Sequence, residues 1–163
     1  MLARAATPAD AAAIAAIYNQ AIAERMSTFE TRPRTPEEIL AWLGGTHPVV
    51  VVEDGGQVIA FGATFPYSDR ECYRGVAEFS VYVDRQARAR GVGRLALSAL
   101  LETARQAGFW KLVSRIFPEN AAIRRLNASL GVREVGVHEK HARLDGVWRD
   151  VIVVERLLPD NID

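Results

Sequence analysis

The residues whose chemistry stands out lie in one basic loop between two apolar segments. The loop carries Arg85, Arg88, Arg90 and Arg94, together with Gly91 and Gly93. It follows the β-branched and aromatic segment Val76–Val83 and leads into apolar residues at helical spacing between Val92 and Ala107. Glycines allow the backbone to approach a ligand, and the first N–H groups of a helix attract anions. The pattern therefore predicts an anion site, with a phosphate as the bound group.

Two other phosphate motifs fit this loop less well. Gly91, Gly93 and Ala96 match the spacing of a dinucleotide fingerprint, but a long basic loop precedes them and the next strand, Lys111–Ile116, ends in no acid. A nucleotidase-type loop needs Lys-Ser or Lys-Thr after the glycines, and neither pair is present. A solvated basic loop without a ligand remains an alternative.

Composition bounds what surrounds this loop. The chain has 163 residues, so we expect a single domain covering residues 1–163. Its formal net charge of zero argues against a broad nucleic-acid surface. The only cysteine, Cys72, excludes an internal disulfide and favours a reducing, cytoplasmic setting. We expect no membrane span and no metal site, because long apolar runs and familiar ligand spacings are both absent from the sequence.

Turn signals and periodicity predict the order β-α-α-β-β-β-α-β-α-β-β. The predicted strands are Leu2–Ala5, Val49–Glu53, Gln57–Phe65, Val76–Val83, Lys111–Ile116, Val132–Leu144 and Val147–Leu157. Helices are predicted from Pro8 to Glu24, after Thr35, from Val92 to Ala107 and after Asn120. Antiparallel hairpins interrupted by crossover helices imply a mixed sheet with helices on both faces.

Several short motifs occur in this same order and carry a family resemblance. They are Met26–Thr31, Tyr73-Arg74, Glu78–Val83, Arg88–Gly93, Asn120, Leu130-Gly131 and Gly146–Val151. Together they resemble the GNAT superfamily of N-acetyltransferases, in particular its phosphinothricin, methionine sulfoximine and arsinothricin acetyltransferase branch. The resemblance implies an α+β fold of the acyl-CoA N-acyltransferase type, with about seven strands in a mixed sheet and helices on both faces.

The resemblance also implies where acetyl-CoA would bind. Its diphosphate would lie on the arginine-glycine loop, and its pantetheine arm would run beside the Val76–Val83 strand and hydrogen-bond its backbone. The residues expected to contact acetyl-CoA are Val81, Tyr82, Val83, Arg88, Ala89, Arg90, Gly91, Val92, Gly93, Arg94, Asn120 and Asn127. For Asn120, a plain helix cap is an equally good interpretation.

Glu78 is the expected general base. On a β-strand, its side chain shares a face with Ser80 and Tyr82. By resemblance it would take the proton of the substrate ammonium, and we expect it to be buried, since a fully hydrated carboxylate is a weak base at neutral pH. The alternative is a structural glutamate paired with an arginine.

The acceptor pocket is expected from four further residues. Arg74 offers a guanidinium fork for a carboxylate or phosphinate, and Phe29, Glu30 and Tyr73 match positions that surround the substrate in similar proteins. One departure concerns Asn127, which stands where many family members have a tyrosine, and this branch a histidine, to protonate the leaving thiolate. Asn127 cannot titrate.

The resulting hypothesis is an N-acetyltransferase that transfers acetyl directly, in a ternary complex, to the primary amine of a small amino-acid-like substrate. Acetylation of a protein N-terminus or a polyamine is one alternative, and a non-catalytic acyl-CoA-binding sensor is another. Relatives also suggest a homodimer, formed through the C-terminal hairpin.

Overall fold

The computed structural model describes all residues from Met1 to Asp163, and its strands form a single seven-stranded sheet. The strands are β1 (Leu2–Ala5), β2 (Val49–Asp54), β3 (Gln57–Pro66), β4 (Val76–Val83), β5 (Lys111–Ile116), β6 (Arg133–Leu144) and β7 (Val147–Leu157). The helices are α1 (Ala11–Glu24), α2 (Pro36–Leu40), α3 (Val92–Gln106) and α4 (Ala121–Ser129). The element order and the mixed sheet agree with the sequence prediction, which confirms the fold class.

The strand order across the sheet is β1-β2-β3-β4-β5-β7-β6, and only β4 and β5 run parallel. The crossover between them is α3, as the loop-to-helix pattern predicts. The hairpin turn at Asp145-Gly146 has positive φ at both residues, 51° and 79°, which suits a tight β-hairpin.

The helices cover both faces of the sheet. Ile14 and Ile17 of α1 and Ile39 of α2 pack against Val51 and Phe61 on one face. On the other face, α3 packs with β4 and β5 through a cluster that includes Leu97, Leu100, Ala77, Phe79 and Leu112. Along β4 the two faces therefore alternate, and Tyr82 packs towards α1 while Ala77 and Phe79 pack towards α3. Glu78 and Ser80 share the α1 face with Tyr82.

Local capping explains where the helices begin. The Thr35 hydroxyl accepts a hydrogen bond from the Glu38 N–H (3.3 Å), and the Asn120 side-chain oxygen accepts one from the Ile123 N–H (3.2 Å). At the first helix the prediction starts too early. Residues Pro8–Asp10 form a separate 3-10 turn, in which the Asp10 carboxylate accepts the Thr7 N–H (2.7 Å), and the regular helix starts only at Ala11.

β4 and β5 pair only at their beginning. The pairs Val76–Lys111, Ala77–Leu112 and Glu78–Val113 are followed by no further partners, so the two strands separate after Glu78. Where the pairing starts, Trp110 donates its N–H to the Gly75 carbonyl (2.8 Å). On the side of β5, the backbone groups in the later part of β4 therefore have no partner strand. The sheet is open at this point.

The β6–β7 hairpin forms the other edge of the sheet. Most of β6 is exposed, including Val135 and Val137, and on β7 both Val147 and Trp148 are more than half exposed. None of the helices combines enough length and apolarity to cross a membrane. No group of three or more His, Cys, Asp and Glu side chains is arranged to hold a metal ion.

Candidate functional site

The basic loop has the backbone shape that an anion site needs. Ala89 and Gly91 both have positive φ, 62° and 77°, and Gly91 directly precedes the first turn of α3. At Gly93 the requirement is different, because a Cβ atom there would lie 3.2 Å from Leu126 and 3.5 Å from Val83. The first N–H groups of α3 have no partner within the helix and point out of its N-terminus. The loop therefore presents free backbone donors and a favourable helix dipole.

Three of the four arginines of the loop are paired with acceptors of the protein itself. Arg88 forms two hydrogen bonds with Glu24 (2.8 and 2.9 Å), Arg90 one with Asp54 (3.0 Å) and Arg94 one with the Ser129 hydroxyl (2.7 Å). The hydrogen bonds from Arg88 lower the pKa of Glu24, so this carboxylate stays ionised beside the loop. Exposed pairs of this kind are weak, and a phosphate can compete for their guanidinium groups.

A cavity of about 470 Å³, the loop cavity, lies between this loop, the end of β4 and α4. Of the residues predicted to contact acetyl-CoA, it is lined by Val81, Tyr82, Val83, Arg88, Ala89, Gly91, Val92, Gly93, Arg94 and Asn120. Arg90 is not among its lining residues, because its side chain turns to Asp54. Asn120 also caps α4, so both interpretations of this residue agree with its position.

A narrow space of about 60 Å³, the neck, continues from the loop cavity into the gap between β4 and β5. Val81, Tyr82, Asn120 and Ile123 line both spaces. Asn127 lines the neck and is only 2% exposed, yet neither its side-chain oxygen nor its nitrogen has a hydrogen-bond partner. Such orphaned amides are rare in proteins and are costly without a ligand. The neck thus offers an unused donor and acceptor to a polar chain such as the pantetheine arm.

The neck opens into a larger space of about 530 Å³, the Glu78 cavity. It brings Glu78 together with two other predicted residues, Phe29 and Glu30. Tyr18 and Tyr82 stack in its wall with ring centroids 5.2 Å apart. Burial raises the pKa of both phenols, so they stay neutral at physiological pH. Glu30 forms an ion pair with Arg34 (2.7 Å) at the edge of this cavity.

Glu78 is paired with an arginine of the neighbouring strand. Arg115 Nη2 donates a hydrogen bond to Glu78 Oε1 (2.6 Å), and the two side chains are 51% and 34% exposed. The expectation that Glu78 is buried is therefore wrong: its side chain lines two cavities instead of packing in the core, and a third of it is exposed. The pairing agrees with the alternative interpretation of Glu78 as a structural glutamate paired with an arginine, although the pair lies inside the cavity.

Tyr73 and Arg74 lie apart from Phe29 and Glu30. Tyr73 lines a further space of about 640 Å³, the Tyr73 cavity, which shares Glu78, Ser114 and Arg115 with the Glu78 cavity. Arg74 lines neither space. Its guanidinium lies 5.7 Å from the Trp110 ring and 3.8 Å from Glu71, and 66% of the side chain is exposed. The structure does not bring Arg74 to Glu78.

Sequence reasoning did not find Arg115, Tyr18 or Phe65, all of which line the Glu78 cavity. Alternation along β5 places Arg115 on the same face as Lys111 and Val113, whereas Leu112 and Ile116 pack in the core. The sequence thus contains a signal for an outward-facing cation on β5. Only the register of β4 against β5 shows that this cation faces Glu78.

Comparisons with known proteins agree with the geometry. Residues 14–132 match the family model described as the acetyltransferase (GNAT) family. An L-methionine sulfoximine/L-methionine sulfone acetyltransferase from Salmonella typhimurium is 31% identical, with 99% of this chain and 96% of that protein covered.

Two solved structures are also similar. A ribosomal-protein-alanine N-acetyltransferase from Brucella melitensis has a TM-score of 0.91 and 33% identity, with 96% of this chain and 99% of that chain covered. A phosphinothricin acetyltransferase from Sinorhizobium meliloti, solved in complex with acetyl-CoA, has a TM-score of 0.88 and 27% identity, with coverages of 96% and 87%. The chain belongs to the GNAT family of acetyltransferases.

Proposed function

We propose that this GNAT acetyltransferase moves the acetyl group of acetyl-CoA to the primary amine of a small amino-acid-like substrate. One observation carries the proposal: the loop cavity, the neck and the Glu78 cavity share lining residues and form one passage from an anion-binding helix terminus to a carboxylate. Ser27 and Tyr82 line all three spaces. A passage of this kind can hold a long donor at one end and an amine at the other.

Acetyl-CoA supplies the activated acetyl group as a thioester. The N–H groups at the start of α3 hold the diphosphate. Arg88 and Arg94 also hold it, because they can leave their present partners and bind a phosphate. Unpaired backbone groups near Val81 and Val83 and the orphaned amide of Asn127 hydrogen-bond the arm in the neck. A backbone N–H between Phe79 and Val81 stabilises the negative charge that develops on the carbonyl oxygen.

At the other end of the passage, Glu78 acts as the general base. One of its oxygens accepts a hydrogen bond from Arg115, and the other has no partner in the protein. It accepts a proton from the acceptor ammonium, which frees the nitrogen lone pair to attack the acetyl carbonyl. The carbon–sulfur bond then breaks, and coenzyme A leaves as a thiolate that takes up, through water, the second proton that the nitrogen loses. Both substrates are held at once, so transfer is direct and occurs in a ternary complex.

For the acceptor, the relatives suggest amino acids of the phosphinothricin and methionine sulfoximine type, and the motif resemblance adds arsinothricin. Phe29 and Glu30 line the Glu78 cavity, and Tyr73 borders the adjoining space. The apolar wall of Phe29, Phe65 and Phe117 can contact a short aliphatic side chain, while Glu30 and Glu78 attract an ammonium group.

A second candidate is acetylation of a protein N-terminus, which the likeness to the Brucella melitensis enzyme favours. An N-terminal alanine has an amine but no free carboxylate next to it. The two candidates therefore differ in the groups that the acceptor presents beside its amine.

We further propose that the protein is a cytoplasmic homodimer that associates through β6 and β7. The exposed apolar side chains of Val135, Val137 and Trp148 lie on this hairpin, at an open edge of the sheet. Light scattering on the purified protein measures the oligomeric state. A monomer at micromolar concentration contradicts this part of the proposal.

The deciding experiment follows CoA release with acetyl-CoA and a panel of acceptors. The panel contains the proteinogenic amino acids, L-phosphinothricin, L-methionine sulfoximine, L-methionine sulfone, spermidine and a peptide with an N-terminal alanine. We expect turnover with one or more free amino acids. Turnover only with the peptide or spermidine supports an alternative acceptor, and acetyl-CoA binding without any turnover supports a sensor.

A further inference from the structure

Arg115 forms an ion pair with Glu78, and we propose that it binds the carboxylate of the acceptor amino acid. This inference rests on the proposed function, because it requires an acceptor with a carboxylate beside its amine. Arg115 lies on β5 at the point where β4 and β5 separate, and it lines the neck, the Glu78 cavity and the Tyr73 cavity. An acceptor reaching Glu78 from either cavity meets this guanidinium.

Arg115 is the only arginine or lysine that lines the Glu78 cavity, and Arg34 at its edge is paired with Glu30. Its charged lining residues are Glu30, Glu78 and Arg115, with His141 as a further titratable group. Glu30 is already engaged by Arg34 at 2.7 Å. A carboxylate in this cavity would be repelled by the two acids, and Arg115 is the group that offsets this repulsion.

The guanidinium also has unused hydrogen-bonding capacity. It donates a single hydrogen bond, from Nη2 to Glu78 Oε1 at 2.6 Å. A guanidinium carries five N–H donors, so the rest of the fork is free for bidentate contact with a carboxylate. Since half of the side chain is exposed, it can turn towards a ligand without first leaving a buried site.

The Glu78–Arg115 pair has the charge arrangement that an α-amino acid requires. Glu78 Oε2 has no partner and can accept a hydrogen bond from the ammonium, while the free N–H groups of Arg115 can donate to the carboxylate. The pair thus places a negative group opposite the ammonium of the amino acid and a positive group opposite its carboxylate. Arg74, the arginine that the sequence suggested for this role, contacts Trp110 and Glu71 instead.

The test compares the most active amino acid of the panel with its α-carboxamide, which keeps the amine and side chain but loses the charge. The wild-type protein should prefer the acid by about 10- to 100-fold in kcat/KM, as expected for a charged hydrogen-bonding pair. Arg115→Met should lose this preference, because the KM rises for the acid alone, whereas any loss of Glu78 orientation lowers kcat for acid and carboxamide alike. Arg115→Lys should recover part of it, because it keeps the charge but not the fork.

Arg105→Met is the matched control, since Arg105 pairs with Glu102 (2.7 Å) far along α3 and lines none of these cavities. Its preference for the acid should equal that of the wild type. Equal losses for acid and carboxamide in Arg115→Met would show that Arg115 only positions Glu78, and would overturn the inference. So would a lost preference in Arg74→Met but not in Arg115→Met.

Failure of the proposed function has a different signature. In that case the wild-type protein acetylates no free amino acid of the panel, and the inference falls with it. Failure of the inference alone appears as normal acetylation of the amino acid, with a preference for the acid that survives in Arg115→Met.

Discussion

At the scale of single residues, the two oxygens of Glu78 have different surroundings, which suits the role of general base that we propose for it. Oε1 is held by Arg115, whereas Oε2 faces the cavity without a partner. The hydrogen bond fixes the direction of the carboxylate, which a half-exposed side chain would otherwise lose to rotation. One oxygen can therefore be oriented by the protein while the other meets the acceptor.

Glu78→Gln tests the base directly. The amide keeps the shape of the side chain and can still accept a hydrogen bond from Arg115, but it cannot take a proton. We expect kcat to fall by about 10²- to 10⁴-fold, the usual contribution of a general base. Acetyl-CoA affinity, measured by calorimetry, should not change, because Glu78 does not line the loop cavity.

The control for this variant is Glu71→Gln, since Glu71 is an exposed acid with a long contact to Arg74 (3.8 Å). It should turn over as the wild type does. Unchanged kcat in Glu78→Gln would show that water removes the proton without this carboxylate.

Asn127 gives a prediction with two opposite readouts. Its buried amide has no partner, and such a group costs stability until a ligand satisfies it. Asn127→Leu should therefore raise the free energy of unfolding by about 1 kcal/mol and weaken acetyl-CoA binding about tenfold. Thermal unfolding and calorimetry measure the two effects on one preparation. A variant that is less stable and binds acetyl-CoA normally would mean that the amide has a structural role.

At the scale of elements, the junction between β4 and β5 decides where the passage ends. Gly75 precedes β4, and its carbonyl accepts the N–H groups of Trp110 (2.8 Å) and Lys111 (3.3 Å) just as β5 begins. The Trp110 ring lies directly over Gly75, where a Cβ atom would overlap it. This close approach aligns Val76 with Lys111 and so brings Arg115 to Glu78 two residues beyond the last pair.

Gly75→Ala should disturb this junction. Overpacking against a large aromatic ring should cost about 3 kcal/mol of stability, or roughly 6–12 °C in Tm for a chain of this size. Gly45→Ala is the control, because no atom lies within 4 Å of its Cβ position. Scanning calorimetry of the two variants measures the difference. Equal melting temperatures would mean that Trp110 moves aside without cost.

The first elements of the chain are joined by a buried acid that makes stability depend on pH. Hydrogen bonds from Arg4 (2.8 and 3.0 Å) lower the pKa of Asp10, whose side chain is 7% exposed. Because the folded-state pKa lies below the unfolded value of about 3.9, this stabilisation is complete above about pH 5 and is lost as the pH falls through the folded-state pKa. The pair of Arg4 and Asp10 links β1 to the start of α1.

Asp10→Asn should be less stable by about 2 kcal/mol at pH 7, as expected for hydrogen bonds to a charged group. Its stability should also fall less steeply between pH 5 and pH 3 than that of the wild type. Urea unfolding at several pH values measures both effects. Asp69→Asn, at an exposed acid without an ion pair, should follow the wild-type curve. If the stability of Asp10→Asn fell as steeply below pH 5 as that of the wild type, Asp10 would not be the source of this pH dependence.

At the scale of the whole molecule, the sequence predicts what is local and misses what depends on register. The strands Val76–Val83 and Lys111–Ile116 follow from composition and periodicity, and the structure has them at the same bounds. The pairing of Glu78 with Arg115 joins residues 37 positions apart and depends on how two strands align at Gly75. No pattern along the chain states this alignment. For the same reason the sequence analysis named Arg74 for the acceptor carboxylate and did not find Arg115.

The irregular segment between α1 and α2 shows the same limit. Its lack of periodicity indicates a loop, but not that Ser27 borders all three spaces of the passage. This segment is held in place from two sides. Arg25 bonds Asp145 at the tip of the β6–β7 hairpin (3.0 Å), and Asn120 donates to the Met26 carbonyl (3.5 Å). The passage is therefore closed by contacts between distant parts of the chain.

This architecture makes a kinetic prediction about the order of events. In the proposed mechanism, donor and acceptor enter different ends of one passage, so both can be present at once, and no nucleophile is needed to store the acetyl group. Initial rates measured against both substrates should give intersecting double-reciprocal lines. Mass spectrometry of the protein after incubation with acetyl-CoA alone should show no acetylated species.

Cys72 allows this prediction to be separated from covalent catalysis. It is the only thiol of the chain, it is exposed, and it lines none of the three spaces of the passage. Cys72→Ser should therefore keep the wild-type kcat. Parallel lines together with an acetylated protein would contradict direct transfer, and loss of both in Cys72→Ser would identify the thiol as the carrier. A thiol outside the passage cannot reach an acetyl group held in the neck. We therefore expect direct transfer to the acceptor amine after Glu78 has taken its proton.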